Sequence, residues 1–365
     1  MNRLQRGFAG RCDDNGRCLL EELMKNPADA ARSHRIERVD WETFVALWDR
    51  EGAHLNWNCP FVIPPWIEAW LETLGQGIEP FLAVLREKDR IVGIAPLATG
   101  PARNRFAFLG DPDVCDYFDG VIEPGREREF FRELIGFLGA GGAGELDLGP
   151  VRSDSAVARH LGDAARSLGF DWEVASEAVS SELELPECWE DFLSGLTGKE
   201  RHELRRKLRR LEEAGNVGFR KVESPSQVSG AIETFISLFG MNRDDKAAFM
   251  TPRMAAFFRA LSGALSRAGL LRLFFLDLDG RPVASALCFD HAGVRYLYNN
   301  GYDGAKRRWS VGLLSKVLSL KDAIETGLSR YDFLKGAEAY KQRLGGREIE
   351  LLRYRVRFPG GYGRD

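Results

Sequence analysis

FFLDLDGRPVASALC, residues 274–288, reads as a strand, a tight turn and a second strand, and AVLREKDRIVGIAPL at 83–97 repeats that outline without a gap. Asp279-Gly280 between apolar runs fits a two-residue hairpin, and Lys88-Asp89 takes its place in the other copy. Further on, GELDLG at 144–149 parallels RYDFLKG at 330–336, each a strand after a helix, with Asp147 and Asp332 in matching positions. Both halves run hairpin, strand, helix, strand, helix, strand. The fold class this predicts is α/β, with α+β mixed sheets, as two tandem domains related by internal duplication. The domains are expected at 35–178 and 179–360, after a loosely ordered leader over 1–34.

Composition agrees with two folded domains. The chain has 365 residues, 44 % apolar and 11 % aromatic, which excludes disorder over most of its length. A net charge of −3 argues against a protein coated in nucleic acid. The six cysteines (12, 18, 59, 115, 188, 288) form no CxxC, and the five histidines do not cluster with them. That predicts reduced thiols, a cytoplasmic location and no metal. No apolar run is long enough to span a membrane.

Between the repeats the pattern gives more elements. Asp40 can cap a helix WETFVALWDR, and a second helix follows Pro64-Pro65. DYFDGVI (116–122) and FDWEVA (170–175) read as strands, and SSELELP (180–186) opens the second half. A basic helix covers 199–214, with further helices near 225–240 and 252–268 and a last strand IELLRYRVRF. The glycine-dense 139–144 follows a helix and reads as a connector.

Four stretches can carry chemistry. In GYDGAKRRWSVGLLSKVL, 301–318, a strand ends at Tyr302, a basic loop follows, and a helix starts near Ser310. Free N–H groups and the positive end of the helix dipole at such a start suit a pyrophosphate. Arg307, Arg308, Trp309, Ser310, Val311 and Gly312 are the candidates to hold it, and Tyr302 is a substrate-binding candidate. The alternative is an exposed basic loop with Ser310 as an ordinary cap. In YDFLKGAEAYKQRLG, 331–345, the carboxylates Asp332 and Glu338, the phenol of Tyr340 and the ammonium of Lys341 can position an acceptor and manage its proton. Otherwise Asp332 caps a strand end, Tyr340 packs and Lys341 is solvated. On the basic helix, Arg201, Arg205 and Arg209 form a positive edge for phosphates, with Arg201 and Arg205 the leading binders. In MNRDDKAAFM, 241–250, Asn242 and Arg243 can face a substrate, while the flanking Phe235, Phe239, Phe257 and Phe258 read as core.

The strand end, basic loop and long helix at 301–318, with the strand after them, resemble the acyl-CoA-binding core of the GNAT N-acyltransferases. In that fold the loop and helix start hold the CoA pyrophosphate. Here Arg307 or Arg308 stands for the leading basic residue and Gly312 for one glycine, while Leu314 stands where the family has a second small residue. The larger pattern over 180–345, and more faintly 35–175, resembles the CelD-type acetyltransferases associated with cellulose and exopolysaccharide production. The tandem arrangement is also that of the Fem-type aminoacyltransferases, although their long helical arm has no counterpart in the basic helix.

The resemblance implies direct attack of an acceptor on a thioester. Acetyl-CoA or another acyl-CoA would be co-substrate, and the acceptor a sugar nucleotide, amino acid or envelope precursor, nucleotide- or lipid-linked. Asp332 or Glu338 would be the base, Tyr340 the acid for the thiolate, and Lys341 the holder of an anionic group. The first domain, with EPGREREF at 123–130 in place of a basic loop, would have lost its cofactor site and would wall the acceptor cleft. Two rival readings are aminoacyl transfer from tRNA and a non-catalytic binding protein in envelope assembly.

Overall fold

The computed structural model describes residues 34–50, 54–100, 104–241 and 248–359. The expected leader over 1–34 falls outside them, except for His34. The first strand, β1 (His34–Val39), leads into α1 (Trp41–Arg50). Asp40 caps α1 as its sequence predicts, its Oδ1 accepting from the Thr43 N–H at 2.8 Å. Helix α2 (Pro64–Thr73) starts on its proline pair and buries Trp66, Ile67 and Trp70.

The hairpin β2 (Glu79–Glu87) and β3 (Arg90–Thr99) is followed by β4 (Arg105–Phe108), the short β5 (Val121–Ile122), α3 (Glu127–Ala140), β6 (Glu145–Arg152), α4 (Ala156–Ser167) and β7 (Asp171–Glu184). Two helices then join the halves, α5 (Trp189–Gly195) and α6 (Gly198–Glu212). The second half repeats the first with β8 (Val217–Val222), α7 (Pro225–Gly240), α8 (Pro252–Arg267), β9 (Leu271–Leu278), β10 (Arg281–His291), β11 (Val294–Tyr302), α9 (Val311–Glu325), β12 (Arg330–Lys335), α10 (Ala339–Arg343) and β13 (Arg347–Arg357).

The two halves agree at aligned positions. Lys88 and Asp279, aligned in the two hairpins, both take the left-handed conformation, at φ 53° and 52°. Asp147 and Asp332 each end a short parallel ladder, opposite Ala107 of β4 and Tyr296 of β11 respectively.

The strands of the described residues lie in one mixed sheet, in the order β1-β2-β3-β4-β6-β13-β7-β12-β11-β10-β9-β8, with β5 beside β3. The centre of this order is an exchange. β13, the last strand of the second half, pairs with β6 of the first. β7, the last strand of the first half, pairs with β12 of the second. The expected boundary at 178/179 therefore falls inside β7, a strand that both halves use.

The apolar faces are shared as well. Trp66 of α2 packs on Phe257 of α8 and on Phe289 and Tyr298 of the second half. Phe235, Phe239, Phe257 and Phe258 are core, as expected.

Three element assignments change. The strand near FDWEVA runs on across the expected boundary into SSELELP, because β7 pairs with β13 along its length and with β12 at its end. β8 was not foreseen; VGFRKV has only Val222 buried, so alternation is weak at this sheet edge. Of DYFDGVI only Val121 and Ile122 are strand. Asp116–Gly120 leave the sheet, and Phe118 forms a bridge with Val151 of β6. No helix among the described residues is long and apolar enough to cross a membrane.

Candidate functional site

The two parallel ladders end at Asp147 and Asp332, and beyond each the strands diverge. In the first half the fork is filled from within. Phe118 donates its amide to the Pro150 carbonyl at 2.8 Å, and its ring stacks on Phe108 at 5.3 Å. In the second half the fork stays open. β11 and β12 each carry an extra residue just past the last shared pair, Tyr298 and Phe333, where their registers with β10 and β7 shift. Such bulges bend the strands apart. The result is a cavity of about 410 Å³ between Leu297–Asn300 and Phe333–Lys335, walled by Asp113, Asp116, Phe239, Phe249, Lys316, Glu338, Tyr340 and Lys341.

Asp332 sits under this cavity rather than in its wall. It is 1 % exposed. It accepts from the Tyr117 hydroxyl at 2.7 Å, the Leu334 N–H at 2.7 Å, the Ser180 hydroxyl at 3.3 Å and the Arg152 guanidinium at 3.4 Å. Burial pushes its carboxyl up, with the Arg152 charge and the Tyr117 bond opposing. Its partners lie in both halves, so the carboxylate locks the junction and holds the bulge. Leu334 there is left-handed, at φ 63°.

Lys341 does the complementary work. It is 1 % exposed, not solvated. Its ammonium donates to the carbonyls of Leu334, Lys335 and Gly336 at 2.8, 2.9 and 3.0 Å and meets Glu338 at 2.9 Å. Those contacts use its protons on the chain, so it holds the far arm of the fork instead of an anionic substrate group. Partial burial would raise the Glu338 carboxyl, but the Lys341 hydrogen bond and charge hold it below its ordinary range. Tyr340 is half-buried, with the Lys316 ammonium 3.9 Å over its ring. Burial and the Glu338 charge push its phenol up.

Asp116, which the sequence reading missed, is the half-buried carboxylate of the cavity wall. It comes from the first half and accepts from the Lys335 N–H at 3.1 Å. Burial raises its carboxyl to about 6, against that hydrogen bond.

The start of α9 differs from expectation. Gly312 is buried, and a Cβ there would lie 2.4 Å from the Tyr302 ring. The absence of a side chain there makes room for the Tyr302 ring. Ser310 is left-handed at φ 57° and makes no side-chain cap. Val311 is buried. The basic loop is a 3-10 turn, Gly304–Trp309, in which Arg307 and Arg308 are exposed. The Arg308 guanidinium lies 3.9 Å over the Trp309 ring.

The basic helix α6 docks on that turn, Arg210 donating to the Arg308 carbonyl at 3.2 Å. Two separate basic stretches of the sequence thereby become one exposed positive surface. Arg201 instead reaches the carbonyls of Leu193 and Ser194 at the end of α5, and Arg205 faces Glu190 at 3.4 Å. Asn242 and Arg243 lie outside the described residues. No group of histidine, cysteine and acidic side chains among the described residues is arranged to hold a metal.

Residues 198–342 match the family model described as an acetyltransferase (GNAT) domain. That stretch runs from α6 to α10 and contains the open fork. No curated protein sequence matches the chain. Among solved structures, FemX is similar over 89 % of this chain and 98 % of its own, at 12 % identity and a TM-score of 0.61. A conserved protein of unknown function from Bacteroides thetaiotaomicron VPI-5482 is similar over 88 % of this chain and 99 % of its own, at 12 % identity and a TM-score of 0.53. A tandem GNAT protein from the clavulanic acid biosynthesis pathway is similar over 91 % of this chain and 100 % of its own, at 11 % identity and a TM-score of 0.49. At these identities the likeness to FemX and to the Bacteroides protein is one of fold: this is a mixed α/β protein in two tandem halves, of which the second carries the match to the acetyltransferase (GNAT) domain and the first repeats its order of elements.

Proposed function

We propose that the chain is an acyl-CoA-dependent N- or O-acyltransferase whose acceptor is a small polar molecule such as a sugar nucleotide, an amino acid or an envelope or exopolysaccharide precursor, and that it works in the cytoplasm. The observation that carries this reading is the open fork of β11 and β12 inside the stretch that matches the acetyltransferase domain. Past Tyr296 β11 loses β12 as its partner, and a strand edge that has lost its partner can bind the amide-bearing arm of an acyl-CoA, while the β12 arm is held by Asp332, Asp116 and Lys341.

On this reading the thioester lies between Leu297–Asn300 and Phe333–Lys335. Its diphosphate is held by Lys306, Arg307, Arg308 and Arg210 on the exposed turn and α6 rather than at Gly312. Asn300 Nδ2, bonded to the Ser285 carbonyl at 3.0 Å and the Ser315 hydroxyl at 3.1 Å, fixes the near wall. Tyr340, on the cavity wall and protonated at neutral pH, supplies the acid for the departing thiolate. Asp332 and Lys341 are positioning residues. The first half, its own fork closed by Phe118, holds no cofactor and walls the acceptor side.

Acetyl-CoA should raise the melting temperature of the wild-type chain, and Arg308→Glu should abolish that shift. No shift with acetyl-CoA or longer acyl-CoA esters would sink the reading. The joined positive surface of α6 and the 3-10 turn supports a second reading, aminoacyl transfer from tRNA. That reading requires tRNA binding that weakens steeply with salt and is lost in Arg210→Glu.

A further inference from the structure

We infer that Asp116, a residue of the first half, is the catalytic base of the second half's site, taking the proton of the acceptor as it attacks the thioester. The inference rests on the acyltransferase reading above and names a residue for it. Asp116 lines the cavity, whereas Asp332 has its lone pairs committed below and Glu338 is tied to Lys341. Its position is clamped on both sides. The Val114 carbonyl accepts from the Tyr298 hydroxyl at 3.0 Å, and the Tyr117 hydroxyl donates to Asp332 at 2.7 Å. A base gains from such fixed placement.

The step balances. The acceptor nitrogen or oxygen forms a bond to the thioester carbonyl carbon while its proton passes to the Asp116 carboxylate. The carbonyl pair displaced onto oxygen then returns, the C–S bond breaks with its pair on sulfur, the thiolate takes the Tyr340 proton, and the phenolate recovers one from solvent. Asp116 returns its proton to solvent.

The charged and titratable groups facing Asp116 are Asp332 and Lys335 of β12, Lys341 of α10, Tyr298 of β11 and Asp113 of its own turn. With its carboxyl raised to about 6, Asp116 is ionised at neutral pH yet basic enough to accept a proton.

The test uses the full chain with acetyl-CoA, following thiol release against pH with water and with a panel of primary amines and amino sugars, and following acetyl-CoA binding by calorimetry. Wild type should show a rate that rises through a single ionisation near pH 6. Asp116→Asn, whose amide oxygen can still accept from Lys335, should lower the plateau by about 10²–10⁴-fold and remove the ionisation with binding unchanged. Asp116→Glu should restore part of the rate. If Asp116→Asn keeps the rate within about threefold, or if the ionisation vanishes in Glu338→Gln instead, the inference is overturned while the acyltransferase reading stands. If the wild-type chain binds no acetyl-CoA, both fall.

Discussion

Single residues divide into those the sequence marks and those only the fold reveals. Asp332, Tyr340 and Lys341 stand out in the sequence because charged and phenolic groups follow a strand closely. Their tasks were not legible, since burial is a property of the packed sheet. Lys341→Met should leave three buried carbonyls and a carboxylate without their donor. A loss of about 3–5 kcal/mol in denaturant unfolding is expected. Asp116 was hidden because DYFDGVI reads as a strand, and the amide it meets belongs to Lys335, far along the chain. Its carboxyl titrates near 3.8 when unperturbed and at about 6 in the fold. Between those values the folded chain holds a proton that the unfolded chain has released, so this group's contribution to stability falls as pH rises from about 4 to 6. Asp116→Asn should therefore be more stable than wild type at pH 7, by about 1–2 kcal/mol, and equal to it at pH 4, as urea titrations at the two values would show.

Among elements, the hairpins, the helices with a single apolar face and the proline-led α2 were legible because periodicity and turn chemistry are local. The divergence of β11 and β12 was not, since one-residue bulges leave no mark in composition. The approach of α7 to β11 was also hidden. Gly301 faces the backbone of Leu238 and Phe239, and a Cβ there would lie 2.4 Å from the Phe239 nitrogen. Backbone cannot swing aside as a side chain can. Gly301→Ala should cost about 3 kcal/mol and should change the pitch of α7 against the cavity, visible as loss of any acyl-CoA thermal shift. At Gly312 the obstacle is the Tyr302 ring, so Gly312→Ala combined with Tyr302→Leu should recover stability that Gly312→Ala alone loses, as thermal melts of the three variants would report.

For the whole molecule, duplication was readable in the repeated hairpin, but the exchange of last strands was not, because pairing partners so distant leave no periodic signal. The exchange makes the halves mutually dependent. Residues 34–184 alone would leave β6 with an open edge and β7 without β12 or β13, so this fragment should lack cooperative unfolding by circular dichroism, whereas the full chain should melt in one transition. Arg152 adds to the bond between halves by reaching Asp154, Glu182 and Asp332 together. The order of synthesis then matters. Leu351 of β13 lies opposite Arg152 of β6, a separation of roughly two hundred residues. A ribosome must pass Arg357 before the half made first can close its sheet. Throughout that interval the nascent segment carries a bare strand edge, the kind of surface on which chaperones act and aggregates start.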